Sequence, residues 1–594
     1  MSRLVPLVAP FLVSFTVALG ATLLCERIAR RAGLVVRPRD DRWHRRPTPL
    51  LGGLAIVLGT LPSLAWTGPS SVRFGAAVVV ALVMAGIGLY DDVRPLRPPV
   101  KLVAQIVVAA VLVQIGFQLR LTRSPLVNLF LTLFWIVGIT NALNLLDNMD
   151  GLAAGMAAIA AGFRLAFFLI DGEVVGAQVT SAFIGALVGF LVRNFPPARI
   201  FMGDAGSLFV GIFLSALCLA AGRPYSRGVS GVLLLPVLLM LIPIFDTTFV
   251  TLTRLLGGRP VSQGGRDHTS HRLLALGVGD RGALALLYGI SSVSGLLAVL
   301  SYRYGFTHTI VLLALLLVGL VLLGVHLSRV QVARPDEAPI VGRPAGGPSV
   351  RLVVDFPFKR QVATVAIDLV LIVLAYYSAY LLRFEDTLQR ELRVFARTVA
   401  PVLVFQILAL TLSGAYRGLW RYTSLADLPR LIGAITVGSA TAMVYFVFTN
   451  RFMGISRAVF VIDWIILCVL VSVSRLSFRL LSELLRRPRH GLRRVLIYGA
   501  GDGGELTLRE LRNNPELGRR AVGFVDDDPG KAGARIHAVP VLGNLDAVAE
   551  LLAKHRISEV VVASRRIPVE RVHRLESVCA VRGVTVVQAS VRME

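Results

Sequence analysis

The feature that most constrains this chain is a succession of uncharged, apolar runs of about 20 residues, each long enough to cross the hydrocarbon core of a bilayer. Runs of that length are read as helices, since a segment in lipid must satisfy its own backbone hydrogen bonds. Hydrophobic residues make up 55% of the sequence and the mean hydropathy is +0.71, so the class is a polytopic α-helical membrane protein. Candidate spans lie near 4–24, 50–66, 72–90, 100–117, 124–143, 151–170, 175–192, 205–222, 230–252, 281–300 and 307–326. Four more follow near 361–383, 396–415, 431–449 and 458–476, about 15 in all. The first is read as a retained span, because no small-residue cleavage site follows it.

A net charge of +26 would suggest nucleic acid in a soluble protein; here it follows membrane orientation, and no nucleic-acid partner is expected. Segment 25–49 carries Arg27, Arg30, Arg31, Arg37, Arg39, Arg42, Arg45 and Arg46, whereas the next connection, 67–72, has no basic residue. Placing 25–49 in the cytoplasm puts roughly twice the Lys and Arg on that side. The connection 384–397 runs mildly against this rule, with several Arg beside Glu385, Asp386 and Glu391. An outside N-terminus and 15 spans leave the C-terminal region cytoplasmic. Cys25, Cys218, Cys468 and Cys579 are isolated, which indicates neither a disulfide framework nor a zinc site. Composition divides the chain into a membrane module (1–326), a Pro/Gly/Arg-containing linker (327–357), a four-span bundle (358–480) and a soluble domain (492–594).

Five loops on the assigned cytoplasmic side carry chemistry. Segment 40–53 is stiffened by Pro47 and Pro49 around Thr48, holds His44, and ends in Gly52-Gly53, which lets backbone approach something closely. Such a loop suits a polyanion such as a diphosphate; a positive-inside anchor would explain its arginines but not its prolines and glycines. Asp91 and Asp92 are adjacent carboxylates that repel unless a cation lies near, and Mg²⁺ binds through one or two carboxylates plus substrate phosphates. Lys101 is the only lysine before residue 359, in a chain that otherwise uses arginine, which favours a phosphate contact over snorkelling at the interface. Asn144, Asp147 and Asp150 recur at three-residue spacing with no nearby Lys or Arg, although an acid at membrane depth costs about 2.5–3.5 kcal/mol. Asp204, in Met-Gly-Asp-Ala-Gly-Ser, opens an apolar helix and serves either as its N-cap or as a metal ligand. Asn194, Asp246 and the run Gly265-Arg266-Asp267-His268-Thr269-Ser270-His271-Arg272 complete the set; arginines flanking His268 and His271 favour an anion over zinc. This inventory fits metal-assisted phosphoryl transfer at a membrane surface, with a lipid phosphate as one reactant.

In these motifs residues 1–326 resemble the polyprenyl-phosphate N-acetylhexosamine-1-phosphate transferases, a family that includes undecaprenyl-phosphate GlcNAc-1-phosphate transferases and the phospho-MurNAc-pentapeptide translocase. The resemblance implies a ten- or eleven-helix bundle with a cytoplasm-facing cleft in the bacterial inner membrane. It also implies transfer of a sugar-1-phosphate from a UDP-N-acetylhexosamine to polyprenyl phosphate, with release of UMP and a need for Mg²⁺ (Mn²⁺ as substitute). By analogy Asp204 would be the main metal ligand, with Asp92 as a second. Asp91 and Asp92 would position or deprotonate the lipid phosphate, and Lys101 would hold a phosphate. Asn144, Asp147 and Asp150 would face the nucleotide-sugar, completed by His44, Thr48, Asn194, His268 and His271. The segment Asp-His-Thr-Ser-His-Arg departs from the family's His-rich runs, and a simple N-acetylhexosamine is preferred over MurNAc-pentapeptide. Direct attack by the lipid oxygen is preferred over an aspartyl-phosphate intermediate.

The soluble domain opens with a strand-like run into Gly499, Gly501 and Gly504, and Asp526 ends the next strand about 20 residues on, the dinucleotide-binding arrangement. It is expected to be Rossmann-like, binding NAD or a nucleotide-sugar, or to be such a fold without its ligand. With the four spans, Tyr416-Arg417-Gly418-Leu419-Trp420-Arg421-Tyr422 and Ser456-Arg457, this half resembles the N-terminal region of membrane-bound nucleoside-diphosphate-sugar epimerase/dehydratases. No dehydratase chemistry is expected, because the second glycine fingerprint and Tyr-x-x-x-Lys are absent from the sequence. The expectation is a single catalytic module with a regulatory or substrate-binding appendage, and a homodimer is an allowed assembly. The competing reading is a non-catalytic nucleotide-sugar-sensing scaffold.

Overall fold

The computed structural model describes residues 5–36, 47–67, 72–220, 233–256, 265, 267–328, 330, 359–384, 387–416, 427–485, 493–513, 518–563 and 567–588. It forms two units, Met1–Arg486 and Arg487–Glu594.

In the first unit each of the eleven apolar runs of the N-terminal module is helical. The order is α1 (Val5–Arg31), a two-strand ladder β1 (Val35–Val36) and β2 (Thr48–Pro49), α2 (Gly52–Thr60), α3 (Val72–Val93), α4 (Pro98–Ile115), α5 (Pro125–Leu146), α6 (Leu152–Asp171) and α7 (Val174–Asn194). Then come α8 (Gly203–Leu219), α9 (Leu235–Leu239), α10 (Leu241–Leu256), α11 (Thr269–Ala275), α12 (Asp280–Tyr304) and α13 (Phe306–Ser328). Pro98 and Pro125 start helices where a missing N–H is harmless, and Gly116 closes α4 at φ 105°. Two expected spans are shorter than drawn. After α2 the chain continues only as a 3₁₀ turn, Leu61–Trp66, and the run near 230–252 breaks at Met240 because Pro243 cannot donate to Leu239. Among the described residues, twelve helices are long and apolar enough to cross a membrane, and Gly52–Trp66 and Gly203–Leu219 are shorter apolar helices.

Helix α8 is the axis of this module. Every residue from Ala205 to Leu219 is buried, and α8 packs against α2, α3, α5 and α6. A helix apolar on all sides is one enclosed by others. Its start is therefore a point at which several helix ends converge.

The second set of spans, α14 (Lys359–Arg383), α15 (Leu388–Leu412), α16 (Leu428–Asn450) and α17 (Arg457–Leu485), closes as a four-helix bundle around its own core. Val318 and Leu322 of α13 pack against that core, joining bundle and N-terminal module in one unit. Inside it Arg475 donates to Asp368 at 2.6 Å, both groups being essentially inaccessible. Residues 331–357 of the linker 327–357 and residues 417–422 of the aromatic motif lie outside the described residues.

The second unit is an α/β domain: β3 (Arg493–Tyr498), α18 (Asp502–Asn513), β4 (Arg519–Val525), β5 (Arg535–Ile536), β6 (Val539–Gly543), α19 (Val548–Lys554), β7 (Glu559–Val562), α20 (Val569–Ala580) and β8 (Thr585–Gln588). The sheet order is β5-β6-β4-β3-β7-β8, parallel except for the β5–β6 hairpin. The order reverses at β3, so the glycine loop after it sits at the switch point where α/β sheets bind ligands.

Candidate active site

The chemistry-bearing residues of the first module gather at one end of the helices. Asp91 and Asp92 lie in the last turn of α3, Lys101 in the first turns of α4, Asn144 near the end of α5 and Asp204 at the start of α8. Lys101 bridges two acids: its Nζ donates to Asp204 Oδ2 at 2.7 Å and is ion-paired with Asp91. Asn144 Nδ2 donates to Asp204 Oδ1 at 2.9 Å and to Ser207 Oγ at 2.8 Å. Asp204 thus stands between an ammonium and an amide.

The adjacent acids of α3 point to different partners, because successive helical residues diverge by about 100°. Asp91 Oδ1 also accepts from the Leu96 N–H at 2.5 Å, folding the α3–α4 turn back on itself. Asp92 instead receives the Asp204 N–H at 2.8 Å and the Ala205 N–H at 3.0 Å.

The turn after α5 divides likewise. Only Asn144 is on the helix; Asp147 is the C-cap residue and Asp150 lies in the turn before α6. Asp147 faces the Gly203 N–H, and burial together with the charges of Asp204, Asp92 and Asp150 pushes its carboxyl well above the usual range. Asp150 accepts from the Ala198 N–H at 2.9 Å. Asn144 and Asp147 thus both serve the start of α8, whereas Asp150 holds the segment that precedes it.

Several expected ligand contacts prove to be brackets between loops. Asn194 is buried; its Oδ1 accepts from the Gly151 N–H at 3.0 Å and its Nδ2 donates to Ile200 O at 2.9 Å, so both ends of the amide are engaged by protein. Thr48 is buried in β2. Gly52 and Gly53 donate backbone N–H groups to Phe201 O (2.9 Å) and Met202 O (2.8 Å), and a Cβ on Gly53 would run into the Gly206 backbone. What approaches these glycines is the segment leading into α8, not a diphosphate. His44 lies outside the described residues.

The histidine segment docks against the turn after α5. His268 Nδ1 is 2.7 Å from Asp246 Oδ2, and Asp246 Oδ1 accepts the Thr269 N–H at 2.7 Å. His271 follows one turn on, its ring centroid 6.2 Å from that of His268. Arg254 clamps Asp267 through two bonds of 2.8 and 2.7 Å, holding that carboxyl below its usual range despite burial. Ser270 Oγ donates to Asn148 Oδ1 at 2.7 Å, which ties this segment to the turn carrying Asp147 and Asp150. Asn148 and Tyr288, whose hydroxyl donates to Gly151 O at 2.5 Å, are not singled out by sequence, and Tyr288 carries no signal that could have found it.

Among the described residues no group of three or more His, Cys, Asp or Glu side chains forms a metal cage. The oxygen donors around Asp204 still fit a hard cation that takes one or two carboxylates and completes its shell with phosphates and water.

In the second unit Gly499 has φ 107°, and a Cβ on Gly504 would meet Gly499 O, so α18 can pack on the loop only through glycine. A Cβ on Gly501 would meet nothing within 4 Å, which leaves that side of the loop open. Asp526 Oδ2 accepts from the Ala500 N–H at 2.6 Å and from Lys531 Nζ at 3.1 Å, fixing the loop rather than standing clear of it.

Comparison with known proteins agrees with this architecture. Residues 74–222, from α3 to just past α8, match the Glycosyl transferase family 4, and residues 411–589 match a family described as CoA-binding domain. The "Probable undecaprenyl-phosphate N-acetylglucosaminyl 1-phosphate transferase" of Bacillus subtilis (strain 168) is 35% identical over 307 residues, covering 50% of this chain and 85% of the relative. The chain belongs to the polyprenyl-phosphate N-acetylhexosamine-1-phosphate transferase family. Other members are similar: the decaprenyl-phosphate N-acetylglucosaminephosphotransferase of Mycobacterium leprae (strain TN) is 34% identical over 48% of this chain and 81% of its own length. The phospho-N-acetylmuramoyl-pentapeptide-transferase of Limosilactobacillus fermentum (strain NBRC 3956 / LMG 18251) is 33% identical over 38% of this chain and 76% of its own.

Proposed function

We propose that this chain transfers an N-acetylhexosamine-1-phosphate from a UDP-sugar to polyprenyl phosphate, releasing UMP and initiating a cell-envelope polysaccharide. The observation that carries the reading is Lys101 held between Asp91 and Asp204 where α3, α4, α5 and α8 meet. In such a transfer a lipid phosphate oxygen attacks the sugar-bearing phosphorus and the bond to UMP breaks, so the site must gather a lipid phosphate and a diphosphate and neutralise them. Lys101 is placed to exchange its carboxylate partners for phosphate oxygens, which would release Asp91 toward the lipid phosphate. Asn144, itself held by Ser207, orients Asp204, which would hold Mg²⁺; the ion would supply neutralisation of phosphate charge. His268, oriented by Asp246, and His271 are assigned to the nucleotide-sugar. An open apolar groove of about 400 Å³ between α3 and α4, lined by Val83, Ile87, Tyr90, Leu96 and Val100, lies beside Asp91 and Lys101 and suits a lipid acceptor.

The reading places 15 spans in a bacterial inner membrane with the site and C-terminal domain cytoplasmic, and treats that domain as a non-catalytic module for NAD or a nucleotide-sugar. The test is full-length protein in detergent with polyprenyl phosphate, Mg²⁺ and a panel of UDP-N-acetylhexosamines. UMP release by the wild type and its loss in Asp204→Asn are expected. No UMP across the panel, with nucleotide-sugar binding retained, would instead favour a sensing scaffold.

A further inference from the structure

Helix α8 begins without a local cap. Its N-cap position is Met202, in the αR region with no side-chain hydrogen bond, although the first N–H groups of a helix have no intrahelical acceptor. A carboxylate 112 residues away supplies the acceptors: Asp92 takes the Asp204 N–H on one oxygen and the Ala205 N–H on the other, at 2.8 and 3.0 Å. Gly203 makes room for it. It sits at φ 71°, and a Cβ there would lie 2.7 Å from Asp92 Oδ2. One turn back on α3, a Cβ on Gly88 would collide with the Asp204 carbonyl, so α3 and the α8 start are fitted along two successive turns.

From this geometry we infer that Asp92 is a positioning residue for the transfer reaction, neither a metal ligand nor a base: it caps α8 from α3 and thereby sets the Asp204 side chain. The inference rests on the proposed function only for the identity of the reaction. Both Asp92 oxygens are occupied by backbone donors, and an anion on a helix N-terminus is favoured by the dipole as well as by the hydrogen bonds. Its neighbour Asp91 is then the α3 acid left facing Lys101. The paired acids thus divide into one that meets substrate and one that aims the Asp204 side chain.

The test uses full-length protein in detergent, with Mn²⁺ as the metal probe read by electron paramagnetic resonance in the presence of UDP-GlcNAc, alongside UMP release and thermal melting. Asp92→Asn keeps one acceptor oxygen at the same reach. Loss of the other bond is expected to lower kcat about tenfold, with KM for both substrates and Mn²⁺ affinity changed by no more than about threefold. Asp204→Asn should lower Mn²⁺ affinity by more than about tenfold. Gly203→Ala should include the Asp92→Asn defect together with the strain of a side chain at positive φ, and the double variant should be no worse than Gly203→Ala alone, because both disturb the same contact. Loss of Mn²⁺ affinity in Asp92→Asn equal to that in Asp204→Asn would overturn the inference, as would additive melting shifts in the double variant. If wild type released no UMP, the proposed function would fall, while the melting cycle would still decide whether Asp92 caps α8.

Discussion

Two regions of the membrane unit bury charge in opposite ways. In the four-helix bundle Asp368 and Arg475 form an opposite-charge pair, 2.6 Å apart and inaccessible. At the start of α8 the signs are unbalanced: Asp147 lies near the charges of Asp204, Asp92 and Asp150, and Lys101 is shared between Asp91 and Asp204. The bundle pair carries one charge of each sign and is balanced within the protein. Crowded acids around a shared ammonium are completed by something that arrives, and a cation with phosphates would do so. The contrast separates a charge kept for structure from charges kept for chemistry.

The sharpest break of this comparison is Asp204→Asn, which should lower UMP release by about 100–1,000-fold while leaving the thermal melt of the substrate-free protein at or above wild type. Removing one partner of the bundle pair should do the reverse. Asp368→Leu or Arg475→Met alone should destabilise by about 3–5 kcal/mol in reversible denaturation, with transfer per folded molecule preserved, and the double variant should recover most of the loss. A double variant as unstable as the sum of the singles would mean that the pair is not self-contained.

A smaller effect is expected at Asp147. Its folded-state pKa is raised by burial and by neighbouring carboxylates, so ionisation there opposes folding. Asp147→Asn should raise the melting temperature near neutral pH and lower kcat. The stability difference should shrink as pH falls and vanish below about 4, where the unfolded carboxyl is also protonated. A melting temperature unchanged across that window would remove the like-charge argument. The smallest shift belongs to the α/β domain. Burial tends to raise the Asp526 pKa, but the Asp528 and Ala500 N–H groups and Lys531 hold it below the usual range. Its contribution is therefore present above about pH 4 and lost as pH falls through the folded value. In the full chain Asp526→Asn should speed amide exchange of Ala500 at pH 7, with the difference fading in acid.

Composition and period made the membrane class legible, since eleven apolar runs of the first module needed only length to be recognised as helices. The alternating strands and helices after residue 492 likewise announced the α/β domain, and the loop acids marked the site because uncompensated charge between spans is rare. Roles were less legible. Asn194 and the Gly52-Gly53 pair read as ligand-facing, yet they hold loops together; Asn144 read as nucleotide-facing, yet it holds Asp204. Sequence spacing gives the face of a helix but not what is packed opposite, and each of these partners lies on another element. By itself the sequence determined that acids, one early lysine and histidines collect on one side of a helical membrane protein. Only the tertiary structure decided that Asp91 meets Lys101 while Asp92 meets the N-terminus of α8, because that division depends on helices brought together from 112 residues apart.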